Sequence, residues 1–236
     1  MIVEDRRRSL WHAVADAAGS PGQPVWALSV CRNCVTALPG VDAVALTLRA
    51  TETAQDLLGA SDDWARSLED QQYTLGEGPG VRAFRTGGPV LVDSLDIADQ
   101  HWPGFTDAAQ TLGMGAAFAF PLQFGAIILG TLDLYRRTPG ALAGRARADA
   151  AGLADLITLA LLRKELAHTR GEDWLDGMGS YHEVNIATGM LAARLGISLG
   201  DAFTRLRGHA FLLDRTVLAL ARDVIAHRID VDDLGE

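Results

Sequence analysis

Two thiols, Cys31 and Cys34, stand three positions apart and are the only cysteines among 236 residues. That spacing is half of a zinc site or a redox pair. A structural zinc needs four ligands, and no second Cys or His pair follows at a fitting interval. A redox pair works best where a helix start lowers the thiol pKa, whereas these thiols fall in the middle of a stretch that reads as helix. They are read as structural core cysteines, with the redox pair as the rival. The histidines, His12, His101, His168, His182, His209 and His227, are scattered. His101 beside Trp102 is the one a haem pocket would use, yet a lone loop histidine packs or hydrogen-bonds more often than it ligates. Gly76, Gly78 and Gly80 suggest a phosphate cradle, but the segment lacks the Gly-Lys-Ser/Thr ending and follows no strand. It reads as a tight turn bordering a pocket. No set completes a catalytic or metal site, so the expectation is a protein that is not an enzyme and holds no metal or cofactor.

The elements that must position these residues come in two styles. Residues 5–18 and 26–38 read as helices, 41–50 as a strand, and 62–68 as a helix leading into Leu75-Gly76-Glu77-Gly78-Pro79-Gly80, too rich in turn residues for regular structure. A short strand at 89–92 and a helix at 106–112 follow. The strongest β signal is the pair of apolar runs 116–122 and 126–135, an antiparallel hairpin around Gln123-Phe124-Gly125. A long helix spans 145–169. This order predicts an α+β fold with a mostly antiparallel sheet. Beyond it the pattern is wholly helical, near 181–195, 199–211 and 217–228. Leu199, Ala202, Phe203, Leu206 and Ala210 form one helix face, and Ser198 with Asp201 is a capping-box variant. The division expected is 1–170 for the α+β part and 171–236 for a small three-helix bundle with a short acidic tail.

Charge narrows the partners. The chain carries a formal net charge of -9, which argues against unselective coating of nucleic acid. Residues 181–229 nevertheless carry six arginines (Arg194, Arg205, Arg207, Arg215, Arg222 and Arg228) against Glu183, Asp201, Asp214 and Asp223, a net of +2. That local balance permits a polyanion partner. Lys164 is the only lysine; arginine forks suit phosphate, though genome base composition gives the same bias. The first residues precede no signal-type apolar core, and the run 153–162 is too short to cross a bilayer. A cytoplasmic protein without a membrane partner is expected. The same run is apolar nearly all round, so it needs a cover besides the sheet: the first helix of the same chain, or a second copy in a homodimer through 145–169. Three extra Leu or Ile side chains buried per chain would contribute roughly 5–9 kcal/mol gross.

Leu75-Gly76-Glu77-Gly78-Pro79-Gly80, Pro89-Val90-Leu91-Val92-Asp93, His101-Trp102-Pro103, Leu112-Gly113, Pro121-Leu122 and Leu129-Gly130-Thr131-Leu132-Asp133-Leu134-Tyr135 together resemble a GAF domain over residues 10–165. The resemblance implies an antiparallel sheet with helices on both faces and a small-molecule pocket, for which Glu77, Trp102, Phe118 and Phe120 are the candidate lining residues. No cysteine stands where related photosensors attach a bilin.

The tail, with Val184-Asn185-Ile186-Ala187-Thr188-Gly189-Met190-Leu191, Leu195-Gly196-Ile197-Ser198, Ala202-Phe203, Leu206-Arg207, His209-Ala210-Phe211 and Leu220-Ala221-Arg222-Asp223-Val224, is similar to an ANTAR domain over 181–229. That family implies RNA binding: recognition of paired stem-loops in nascent RNA, so that a terminator hairpin cannot form. Arg205, Arg207, His209 and Arg215 lie nearest the second helix and are the candidate contacts. Phe203 is core by periodicity, with stacking on an unpaired base as the second reading. Thr188 departs from the Lys that many members carry. The whole reads as a signal-responsive RNA-binding regulator in transcription antitermination. The rivals are a helix-turn-helix DNA-binding regulator around Leu191–Ser198 and a GAF enzyme or dimerisation scaffold.

Overall fold

Side chains alternate across a strand with a period of two, and that alternation sorts this molecule into two unlike faces. The computed structural model describes residues 2–21, 23–51, 55–95, 101–167 and 181–234. Helices α1 (Ile2–Ala15) and α2 (Pro24–Ala37) lead into strands β1 (Ala43–Arg49) and β2 (Gln55–Ala60). Then come α3 (Asp63–Leu75), α4 (Pro79–Thr86), β3 (Val90–Val92), α5 (Pro103–Thr111), and the hairpin β4 (Ala116–Phe124) and β5 (Ile127–Arg136). The long helix α6 (Gly144–Ala167) follows, then α7 (His182–Leu195), α8 (Leu199–Leu212) and α9 (Val217–Ile225). The five strands pair antiparallel in the order β2-β1-β5-β4-β3. The expected α+β architecture and its terminal helices are present.

Val44, Leu46, Phe118, Phe120, Leu132 and Leu134 point to one face and are buried under α2 and α6 with Cys31, Cys34, Leu153 and Ile157. The next residues along the same strands, Ala45, Thr47, Ala117, Thr131, Asp133 and Tyr135, point the other way, to α3, α4 and α5. One face is apolar and the other mixes small and polar side chains. Helix α1 packs on α6 and α2, so the first helix supplies part of the cover that the all-round apolar run needed; Leu159 stays 42% exposed.

Two elements depart from expectation. The turn-rich segment ends α3 at Leu75, and Pro79-Gly80 opens α4 instead of a loop. Proline suits the first helical turn because its missing N–H has no intrahelical partner there. Strand β2 was not expected, since Gln55-Asp56-Leu57-Leu58-Gly59-Ala60 has no β-branched residue; its pairing with β1 supplies what propensity does not. The expected helix 145–169 is seen to Ala167, and its last two positions lie outside the described residues.

Candidate functional site

Helix α3 has side chains at work on two sides. Toward the sheet, Glu69 and Gln72 are wholly buried. Tyr135 Oη donates to Glu69 Oε1 at 2.5 Å, Gln72 Nε2 donates to Glu69 Oε1 at 3.0 Å and to Tyr135 Oη at 2.9 Å, and Thr47 Oγ1 donates to Glu69 Oε2 at 3.0 Å. Gln72 Oε1 in turn accepts from Gly80 N at 2.8 Å, tying the start of α4 to α3. Arg49 Nη2 stands 3.8 Å from Glu69 Oε2 with both side chains fully buried, and its guanidinium nitrogens make no hydrogen bond. Asp133 lies beside them and accepts from Thr131 Oγ1 at 2.6 Å. Burial foremost, and then the charge of Glu69, push the Asp133 carboxyl well above its ordinary range, and the same two causes raise the Tyr135 phenol. These contacts join residues far apart in sequence, and no local pattern announces them.

On its other side α3 meets the C-terminal helices. Tyr73 stacks on Tyr181 and lies 5.4 Å from the Phe203 ring. Tyr181 Oη donates to Asp70 Oδ1 at 2.9 Å. Arg207 Nε donates to the Thr74 carbonyl at 2.8 Å, and Thr74 Oγ1 accepts from Val217 N at 3.0 Å. Gly76 closes α3 in the left-handed conformation, φ 67°, and a methyl there would stand 1.8 Å from Arg207 Nη2. A side chain there would have to displace the Arg207 guanidinium. Tyr73, Tyr181, Phe203, Leu206 and Val217 consequently belong to one hydrophobic cluster that continues to the polar face of the sheet.

The candidate RNA residues are thus placed unevenly. Phe203 is 5% exposed, so it is a core residue here, as its periodicity required. Arg207 is half-buried against α3, and burial lowers its pKa. Arg215 is spent on Asp223 Oδ2 at 2.6 Å and on the Ala219 carbonyl. His209 is half-buried, its Nδ1 3.0 Å from the Arg205 carbonyl oxygen, while Arg205 is exposed. Arg194 pairs with Asp232, Arg222 with Glu183 and Arg228 with Asp223, so much of the tail's positive charge is matched within the tail. Thr188 is buried and donates to the Val184 carbonyl at 2.7 Å; it faces no solvent.

The four candidate pocket residues are split between the two faces. Glu77 Oε1 accepts from Phe105 N at 2.8 Å and so caps the start of α5, where an unpaired N–H and the positive helix end favour a carboxylate. Trp102 is buried on that side with the Arg82 guanidinium 5.9 Å from its ring. Phe118 and Phe120 lie across the sheet. Phe120 borders a cavity of about 340 Å³ between the β4–β5 hairpin and α6, lined also by Pro121, Gln123, Ala154 and Asp155. Strand parity places the two phenylalanines on that face and is legible once the limits of β4 are known. Cys31 and Cys34 are buried free thiols in the middle of α2; burial raises both, Cys34 to about 12. Among the described residues no three His, Cys, Asp or Glu side chains gather as a metal site, and no single helix is long and apolar enough to cross a membrane.

A family model described as the GAF domain matches residues 30–161, more than half of the chain, and stops short of α7–α9. No curated protein matches. Among solved structures the chain is similar to the GAF domain of an Acinetobacter phosphoenolpyruvate-protein phosphotransferase, with TM-score 0.53 and 11% identity over 72% of this chain and 97% of that one. It is similar to the free methionine-R-sulfoxide reductase from Neisseria meningitidis in complex with its substrate, with TM-score 0.52 and 16% identity over 69% and 91%. A third likeness is to the chromophore-binding domain of a bacteriophytochrome from R. palustris, TM-score 0.50 and 14% identity over 70% of this chain, which spans 62% of that domain, under two thirds of its length. At these identities the likeness is one of fold.

Proposed function

The chain belongs to the GAF domain family, a family of small-molecule sensing and signalling domains, and from that premise we propose a signal-responsive RNA-binding regulator that acts in transcription antitermination. The three helices α7, α8 and α9 are its RNA-binding part and paired stem-loops its target. The observation that carries this reading is the three-helix unit itself. Three helices, His182–Leu195, Leu199–Leu212 and Val217–Ile225, follow the GAF part, and the second is capped by Ser198, whose Oγ accepts from Asp201 N at 3.1 Å. Helix α8 turns Arg205 to solvent. The protein is read as cytoplasmic and homodimeric. Gly152, Leu156, Leu159 and Ala160 form a stripe on α6 that is half-buried or exposed, and a second copy is the cover that suits it.

The sensing role falls to the polar face of the sheet. Arg49 is a buried cation whose nitrogens lack hydrogen bonds, and a small molecule bearing anionic or acceptor oxygens would satisfy them. We read the protein as a regulator and not an enzyme, although a reductase shares the fold. A nucleophilic or redox cysteine works as the thiolate, and both thiols here are buried and raised.

A second reading has one observation in its favour. The chain turns by 111° between α7 and α8 through Gly196-Ile197-Ser198, within the roughly 90–120° of helix-turn-helix pairs. Against it, the first turn of α8 exposes Leu199, Gly200 and Asp201, an apolar and acidic set unsuited to base edges and phosphate. Retention of a labelled two-hairpin RNA, but not of random duplex DNA, supports RNA binding; the reverse establishes the DNA reading.

A further inference from the structure

We infer that the end of α3 is a clasp that withholds the RNA-binding helices, and that the RNA-competent form of this protein is the one in which Tyr73, Thr74 and Gly76 have let go of α8 and α9. The inference rests on the RNA reading of those helices. Its evidence is independent of that reading and lies in what α3 touches.

Arg207 and Phe203 sit side by side on α8, the guanidinium carbon 5.6 Å from the ring centroid. An arginine next to an aromatic ring suits phosphate and an unpaired base together. Neither group is available here. The guanidinium lies over Gly76 and donates to the Thr74 carbonyl, and the ring packs beside Tyr73. The Thr74 carbonyl is in the last turn of α3, where no intrahelical N–H reaches it, so Arg207 supplies a hydrogen bond the helix end lacks. Thr74 Oγ1 does the converse for α9, accepting from Val217 N in that helix's first turn. The two parts complete one another's helix ends. They separate only by giving up both bonds and the Tyr73–Tyr181 stack.

Helix α3 also suits the role of relay. Glu69 and Gln72, on its other side, belong to the buried polar network of the sheet, with Arg49, Thr47 and Tyr135. A rearrangement of that network acts on a helix whose final turn holds the effector. A ligand shifts such an equilibrium only by its unequal affinity for the clasped and open forms.

The test uses the full chain in two variants and a fluorescent RNA of two short hairpins. Gly76→Asn keeps a residue that tolerates the left-handed conformation and puts a side chain where the Arg207 guanidinium lies. It should bind the RNA about tenfold or more tighter than wild type, since a competent fraction below one weakens apparent affinity in proportion. Thr74→Cys with Val217→Cys joins the hydrogen-bonded pair through a disulfide. The oxidised form should lose RNA binding and regain it on reduction. Equal affinity for wild type and Gly76→Asn, with no loss of binding in the cysteine variant under oxidising conditions, overturns the clasp while leaving the RNA reading intact. Binding by no form, Gly76→Asn included, overturns the RNA reading and the clasp together.

Discussion

The phenol rings of Tyr73 and Tyr181 stack with centroids 4.0 Å apart and planes inclined at 30°. One residue belongs to the last turns of α3, and the other precedes α7 and donates its hydroxyl to Asp70 on the same α3. Tyr181→Phe keeps the stack and removes the hydroxyl bond. It should lower stability by about 1 kcal/mol, less than Tyr181→Ala, which loses the buried ring and should cost about 3–5 kcal/mol. Denaturant unfolding of both variants checks the order; equal losses would contradict the stacked pair.

Phe203→Ala separates a core role from an RNA platform. A ring only 5% exposed should cost about 3–5 kcal/mol of stability when truncated, whereas a stacking platform would cost about 1–3 kcal/mol of binding and leave melting unchanged. The position of Phe203 under α3 calls for the stability loss in the clasped form, and its pairing with Arg207 calls for a loss of RNA binding besides when the ring is truncated in the Gly76→Asn background. Thermal melting and RNA titration of the same variant read the two effects apart.

Asp133 sets a pH dependence with a definite sign. Its folded-state pKa is raised above the ordinary 3.8 by burial and by Glu69. Its contribution to stability is therefore fully present below 3.8 and is lost as pH rises through the raised value. Asp133→Asn cannot ionise and still accepts from Thr131. The stability of the variant relative to wild type should grow steadily as pH is raised from about 4 to 7. A constant difference across that window would contradict the assignment.

What was legible in the sequence is what depends on local period. The hairpin β4–β5, the helices α2, α6, α7, α8 and α9, the Ser198 cap and the core position of Phe203 all follow from spacing within one element. Strand β2 was hidden because Gln55-Asp56-Leu57-Leu58-Gly59-Ala60 has weak strand propensity and gains its order from β1. Helix α4 was hidden because Gly78-Pro79-Gly80 reads as a turn until the proline is seen to open a helix. The network of Arg49, Glu69, Gln72, Asp133 and Tyr135 is assembled by topology alone, with partners such as Glu69 and Tyr135 brought together by the sheet. The contact of Arg207 with Thr74 is equally long-range, so a basic residue that reads as surface in sequence is half-buried in the fold.

The α6 stripe yields a test of assembly. Leu159 is 42% exposed and Leu162 half-buried. Leu159→Asp with Leu162→Asp should convert a homodimer into a folded monomer in sedimentation velocity, since apolar area covered at a seam is what favours association. A dimer that persists in the double variant would place the interface elsewhere.

The most direct test of the central claim is the salt dependence of RNA affinity in the full chain, measured for Gly76→Asn with and without Arg205→Ala. If about three to five phosphates are neutralised, the slope of log affinity against log salt should be near -2 to -3.5 on single-stranded loops. Arg205 is exposed on α8 and off its buried face, so its removal should make the slope shallower by roughly 0.7 and leave the melting temperature unchanged. RNA held no better than random duplex DNA, or a slope that Arg205→Ala does not move, would contradict RNA binding through α8.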